Sequence, residues 1–112
     1  MDNSVDFDNR WSERQDMCLR ITLLDHGREI LQTNSKNISI GGIFIEPVPQ
    51  ALNIGQTLGV SFSLHSATSV QRHHLPARVV RNHGNGAALA FSDYDFNTLN
   101  ALRILLYDGL TR

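Results

Sequence analysis

Between Thr57 and Leu64 the chain alternates without a break. Leu58, Val60, Phe62 and Leu64 fall on one side, and Thr57, Gly59, Ser61 and Ser63 on the other. A period of two is the signature of a β-strand with one buried face, and it is incompatible with a helix over the same residues. The segments around it read in the same way. Residues 17–24 (MCLRITLL) are rich in strand formers, Asp25, His26 and Gly27 supply a turn, and residues 28–33 return as the hairpin partner. Asn34, Ser35, Lys36 and Asn37 read as a polar break before ISIGGIFIE. The paired glycines of that run mark a bend or a close backbone approach within a strand, and Pro47 and Pro49 end it.

Ile54, Gly55 and Gln56 make a turn into the alternating strand, and residues 65–71 make a polar hairpin loop. Residues 72–81 are again extended, with Pro76 pointing to an edge or a bulge. Asn85-Gly86 favours a tight hairpin, because both residues tolerate positive φ, and GAALAF returns from it. From Asp95 the period changes. Leu99, Leu102, Leu105 and Leu106 recur at helical spacing, Asp93 or Asp95 can cap the start, and Gly109 can end the helix. Six or so short strands and one terminal helix describe a small antiparallel barrel or half-open sandwich, all-β dominated, with the helix plugging one end. Residues 1–16 show neither period and read as a flexible N-terminal arm, which leaves 17–112 as the folded domain.

At 112 residues the chain is one domain's length, and its 41% hydrophobic content suffices for one core without metal or disulfide. A single cysteine, Cys18, excludes an intramolecular disulfide framework and suits a reducing cytoplasm, where it is most simply a small buried hydrophobe. No apolar run approaches the length of a membrane span, so membrane insertion is not expected. A formal charge of −1 lacks the positive field that draws bulk nucleic acid. The basic residues are nevertheless unusual, because all except Lys36 are arginine. Guanidinium forks pair bidentately with phosphate or a guanine edge and stack on flat rings, which suits a small planar anion better than a polyanion.

Two clusters carry the chemistry. Arg10 and Arg14 flank Trp11 in RWSER, and Asn37, Ser39 and Gly42 stand in NISIGG. R-x-x-x-R in an arm, followed by [D/N]-x-S-x-x-G at the start of a barrel strand, resembles the PilZ domain family of bacterial cyclic di-GMP receptors. ARVVR, GAALAF and the leucine-rich terminal helix look like the family's late strands and helix, in order.

The resemblance implies a six-stranded antiparallel barrel with a C-terminal helix, whose arm wraps a cyclic dinucleotide against the barrel wall. In that scheme Arg10 and Arg14 meet phosphate oxygens and guanine O6 and N7, and Trp11 stacks on a base. The Asn37 carbonyl accepts from guanine N1–H and N2–H₂, Ser39 offers its hydroxyl, and Gly41 and Gly42 leave room for a ring. Arg78 and Arg81 are further contact candidates. The family more often carries Asp where this chain has Asn37, which removes the charge-assisted part of that contact. Asn37 and Ser39 equally suit a local Asx or Ser turn, and the glycines a bulge.

The implied protein is a non-enzymatic cytoplasmic receptor, monomeric or weakly dimeric, that needs no cofactor and passes its signal to an unidentified protein effector. The alternative is a ligand-independent interaction module of pilus or motility machinery. No catalytic or metal constellation is expected. Adjacent His73 and His74 point to opposite strand faces, and Ser39 lies in no nucleophile elbow.

Overall fold

Residues 15–16, 18–65 and 68–108 are described by a computed structural model, and the strand alternation read from the sequence closes there into a ring. The strands are β1 (Gln15–Asp16), β2 (Arg20–Asp25), β3 (Arg28–Ile38), β4 (Gly42–Glu46), β5 (Thr57–His65), β6 (Val70–His83) and β7 (Gly86–Phe91). All pairings are antiparallel, in the order β3-β2-β5-β6-β7-β4, and a β3–β4 pairing closes the circle. This is a closed six-stranded barrel rather than a half-open sandwich. Closure removes the open sheet edges on which strands would otherwise aggregate. Inside lie Ile21, Leu23, Ile38, Ile43, Ile45, Val60, Phe62 and Leu89, each at most 2% exposed.

The turns follow from residue chemistry. His26 and Gly27 both take positive φ (53° and 80°), the two-residue hairpin geometry that matches strand twist. The β6–β7 hairpin turns on Gly84 and Asn85, one residue earlier than Asn85-Gly86. Gly84 takes the positive φ of 58°, and Gly86 is already paired with His83.

The polar segment 34–37 is not a break, since β3 runs straight through it. Its polar groups are satisfied in place. The Ser35 hydroxyl accepts from the Leu19 amide (2.7 Å), and Thr33 donates to the Pro47 carbonyl (2.7 Å). The sequence motif NISIGG therefore spans the β3–β4 hairpin and does not open a strand.

Four further expectations change. Gln15 and Asp16 pair with Ile38 and Asn37, so the last described arm residues are part of the sheet. Cys18 is exposed because it precedes β2 instead of pointing inward from it. Val70 and Gln71 belong to β6 rather than to a loop, paired with His65 and Leu64. Pro76 lies on an interior strand. Its carbonyl accepts from Ser92 N–H (2.9 Å), just past the end of β7, so its missing N–H faces a position where no strand partner is lost.

The terminal helix α1 (Phe96–Arg103) continues as a π-helical turn, Ile104–Asp108. Asp95 caps it, its carboxylate accepting from the Thr98 amide (2.7 Å) and hydroxyl (3.0 Å). These bonds from Thr98 hold the Asp95 carboxyl below its ordinary value. The buried stripe is Thr98, Leu102 and Leu106, while Leu99 and Leu105 are only half-buried. Thr98 is also where the helix joins the barrel, because its Oγ1 lies 2.9 Å from His73 Nδ1 on β6. The Thr98 hydroxyl gives its proton to Asp95, so Nδ1 must donate. The His73 ring lies 5.8 Å from that of Phe62.

Candidate functional site

Asn37 sits near the end of β3, opposite Asp16 of β1 on one side and Phe44 of β4 on the other. Residues paired directly across antiparallel strands share a sheet face, so the row can be followed round the barrel. Phe44 pairs with Ala88 of β7, and Ala88 with Arg81 of β6. Two residues along, Gly42, Ala90 and Arg78 form a parallel row on the same outer face. The row between them, Ile38, Ile43, Leu89 and Val79, points into the core. The barrel wall thus carries Asn37 at one border and Arg78 and Arg81 at the other, with half-buried Phe44 beside Asn37 and a low floor of Ala88, Ala90 and Gly42 beyond it. Asn37 and Arg81 stand three strand spacings apart, about 14 Å at the backbone.

Two bulges create this arrangement. The β3–β4 register slips between Ser35 and Asn37, with Lys36 the extra residue, and the β6–β7 register slips between Val79 and Arg81, with Val80 extra. Without the first, alternation from buried Ser35 would turn Asn37 inward. Without the second, Arg81 would follow Val79 into the core. Each bulge resets the phase and aims one polar side chain at the wall.

The hairpin at residues 39–41 is tied down at three places. The Ser39 amide donates to the Gly42 carbonyl (2.9 Å), and the Ser39 hydroxyl accepts from the Gly42 amide (3.2 Å). Phe91 N–H donates to the Gly41 carbonyl (3.0 Å), and the Tyr94 hydroxyl donates to the Ile40 carbonyl. Tyr94 also packs edge-on against Phe91, and burial raises its phenol above the ordinary value. Ser39 itself is 3% exposed, so its hydroxyl is engaged inside its own turn.

The two glycines have different jobs. A Cβ at Gly42 would lie 2.4 Å from the Leu89 carbonyl oxygen, so β4 can approach β7 only with glycine there. A Cβ at Gly41 would meet nothing nearer than 4.0 Å. Arg10, Trp11 and Arg14 lie outside the described residues.

Sequence reading missed Tyr94 and the bonds His73 makes. The one available signal for Tyr94 was its position three residues beyond the last strand, between two acids. Among the described residues no three His, Cys, Asp or Glu side chains gather into a metal-holding group, and no helix is long and apolar enough to cross a membrane.

The fold is thus a closed antiparallel barrel with one terminal helix, with amide, guanidinium and small side chains on one stretch of its outer wall. The model of the PilZ domain matches residues 8–108, and the chain belongs to that family. PilZ domains are non-enzymatic effector domains and, in general, receptors or adaptors for cyclic di-GMP.

Among solved structures the chain resembles the Bacillus subtilis inhibitor of motility (MotI/DgrA), with 22% identity and a TM-score of 0.76, over 88% of this chain and 49% of that one. It thus spans about half the length of that protein. It also resembles the PilZ domain of CeSA from a cellulose-synthesizing bacterium, with 17% identity and a TM-score of 0.68, over 90% of this chain and 100% of that one. A Legionella protein, Lpg0364, aligns at 15% identity with a TM-score of 0.51, over 88% of this chain and 94% of that one. At these identities the likeness is one of fold. The curated proteins contain no match.

Proposed function

We propose that this chain is a cyclic di-GMP receptor that works by docking, with the dinucleotide lying on the wall bordered by Asn37 and Arg81 and covered by the arm that carries Arg10, Trp11 and Arg14. The observation that carries this reading is the pairing of Gln15 and Asp16 with Ile38 and Asn37. The chain enters the barrel beside the Asn-Ser-Gly hairpin, and Arg14 is the residue next to Gln15 in sequence. The chemistry agrees. Asn37 presents an amide to a guanine edge, Arg78 and Arg81 present forks to phosphate or to guanine O6 and N7, and the alanine and glycine floor admits a flat ring. Ordering of the arm changes the surface offered to a protein effector in the cytoplasm, and the receptor itself is a monomer or weak homodimer without a cofactor.

Calorimetric titration of the protein with cyclic di-GMP is the test. Saturable heat is expected, with a several-fold to hundredfold loss in Arg14→Ala, as removal of a desolvated bidentate contact costs roughly 1–3 kcal/mol. Arg10→Ala is expected to behave alike. Asn37→Asp is expected to bind cyclic di-GMP more tightly and to widen its preference over cyclic di-AMP. No heat at high-micromolar ligand ends the proposal.

A second reading, a ligand-independent interaction module, draws on the hairpin. Ser39 and Gly42 each have a structural task with no ligand present. Effector capture that is identical with and without cyclic di-GMP favours it.

A further inference from the structure

Two strands round the barrel from β3, the outer face of β5 is lined by small residues. Gly59, Ser61 and Ser63 point outward between longer side chains on both neighbours: Arg20 and Leu24 on β2, Arg72 and His74 on β6. At Gly59 the missing side chain makes room for the His74 ring, which a Cβ there would meet at 2.6 Å, so the open part of this face is at Ser61 and Ser63. They leave a trench with a floor of hydroxyls.

The trench opens into a cleft of about 580 Å³ lined by Arg20, Thr22, Gln32, Ser61, Ser63 and Arg72, with Leu19, Leu64 and Leu105 at its apolar end and His65 at the rim. That volume is ordinary for a small-molecule site. No carboxylate lines it, although the chain carries eleven acids and a net charge of −1.

The arginines are poised rather than neutralised. Arg20 Nη2 donates to Gln32 Oε1 (3.1 Å) and Arg72 Nε to Ser61 Oγ (3.3 Å), both neutral acceptors. Among the described residues neither guanidinium forms an ion pair. Their strands are two spacings apart, about 10 Å, which two arginine side chains can close from opposite walls. Each keeps N–H donors beyond the one bond it makes, and the Thr22 and Ser63 hydroxyls add two more.

From this arrangement we infer that the trench is a second, independent ligand site, for a small phosphate monoester. Arg20 and Arg72 grip the phosphoryl oxygens from the two walls, Ser63 and Thr22 donate from the floor, and the organic group lies toward Leu64 and Leu105. A phosphoryl dianion is favoured over a carboxylate because its three equivalent oxygens can meet both forks and a hydroxyl together.

The test is titration of the ¹⁵N-labelled full chain with inorganic phosphate and with phenyl phosphate at constant ionic strength, followed by NMR. Expected are saturable shifts at Thr22, Ser61, Ser63 and the Nε–H signals of Arg20 and Arg72, with phenyl phosphate the tighter ligand. Arg20→Gln and Arg72→Gln should each weaken binding about tenfold or more, the worth of a charge-assisted hydrogen bond. Arg28→Gln, on the exposed hairpin, and Asn37→Ala should leave it unchanged. Non-saturating shifts spread over all arginines, shifts centred on Asn37 and Ser39, or equal affinity in the Arg72→Gln protein each overturn the inference. Because Asn37→Ala disables only the dinucleotide wall, loss of cyclic di-GMP binding and loss of phosphate binding are read separately.

Discussion

Replacing Gly42 with alanine should damage this barrel far more than the same change at Gly41, one residue away. At Gly42 the new methyl would sit 2.4 Å from the Leu89 carbonyl oxygen and 3.3 Å from the Ala90 Cα, where ordinary contact begins near 3.4 Å. The obstacle is backbone on β7, which has no rotamer to change, so β4 and β7 must part by about 1 Å across the pairs Gly42–Ala90 and Ile43–Leu89. Overpacking of this kind costs roughly 1–3 kcal/mol, and a rigid obstacle puts Gly42→Ala at the upper end. At about 4 °C per kcal/mol for a domain of this size, the melting temperature should fall by about 8–12 °C. At Gly41 the methyl would meet open space and φ is not positive, so Gly41→Ala should be neutral or gain about 0.4–1 kcal/mol by stiffening the unfolded chain. Urea and thermal unfolding followed by circular dichroism read both. Equal losses in the two variants, or a Gly42→Ala protein as stable as the parent, would refute the account of why β4 begins with glycine.

Thr98→Val removes the hydroxyl that bridges His73 and Asp95 and leaves a buried imidazole N–H without a partner. The expected cost is about 1–3 kcal/mol in urea unfolding, and an unchanged midpoint would count against the bridge. Asp95→Ala should lower the urea midpoint through loss of the cap. The Asp95 carboxyl is held below its ordinary value in the folded chain. Its contribution is therefore fully present above that value and fades as pH falls through the folded one, so parent and Asp95→Ala stabilities should converge under acid. Asp95→Asn retains an acceptor for the Thr98 amide and should not show that acid-dependent loss. Tyr94→Phe should cost about 1 kcal/mol while leaving the barrel intact, and a loosened 39–41 hairpin should appear as faster amide exchange at Gly41 and Gly42.

What the sequence alone determined is whatever rests on neighbours along the chain. The alternation at 57–64, the His26-Gly27 turn, the change of period at Asp95 and its cap are local properties, and each appears where its residues put it. The two arginine and Asn-Ser-Gly motifs were legible as a pair because their spacing is a sequence property.

The tertiary structure decided which way the site residues face. Asn37 and Arg81 reach the outer wall only because Lys36 and Val80 are extra residues in their strands, and a bulge exists only in the pairing of one strand with another. A slip of one residue reverses every side chain beyond it, so alternation by itself cannot tell wall from core past such a point. For the same reason 34–37 reads as a break: its partners are Leu19, whose amide donates to the Ser35 hydroxyl, and the strand β4 paired beside it, neither of them a neighbour along the chain. The need for glycine at 42 likewise resides in Leu89, on a strand that the sequence places far off and the closed ring brings within contact.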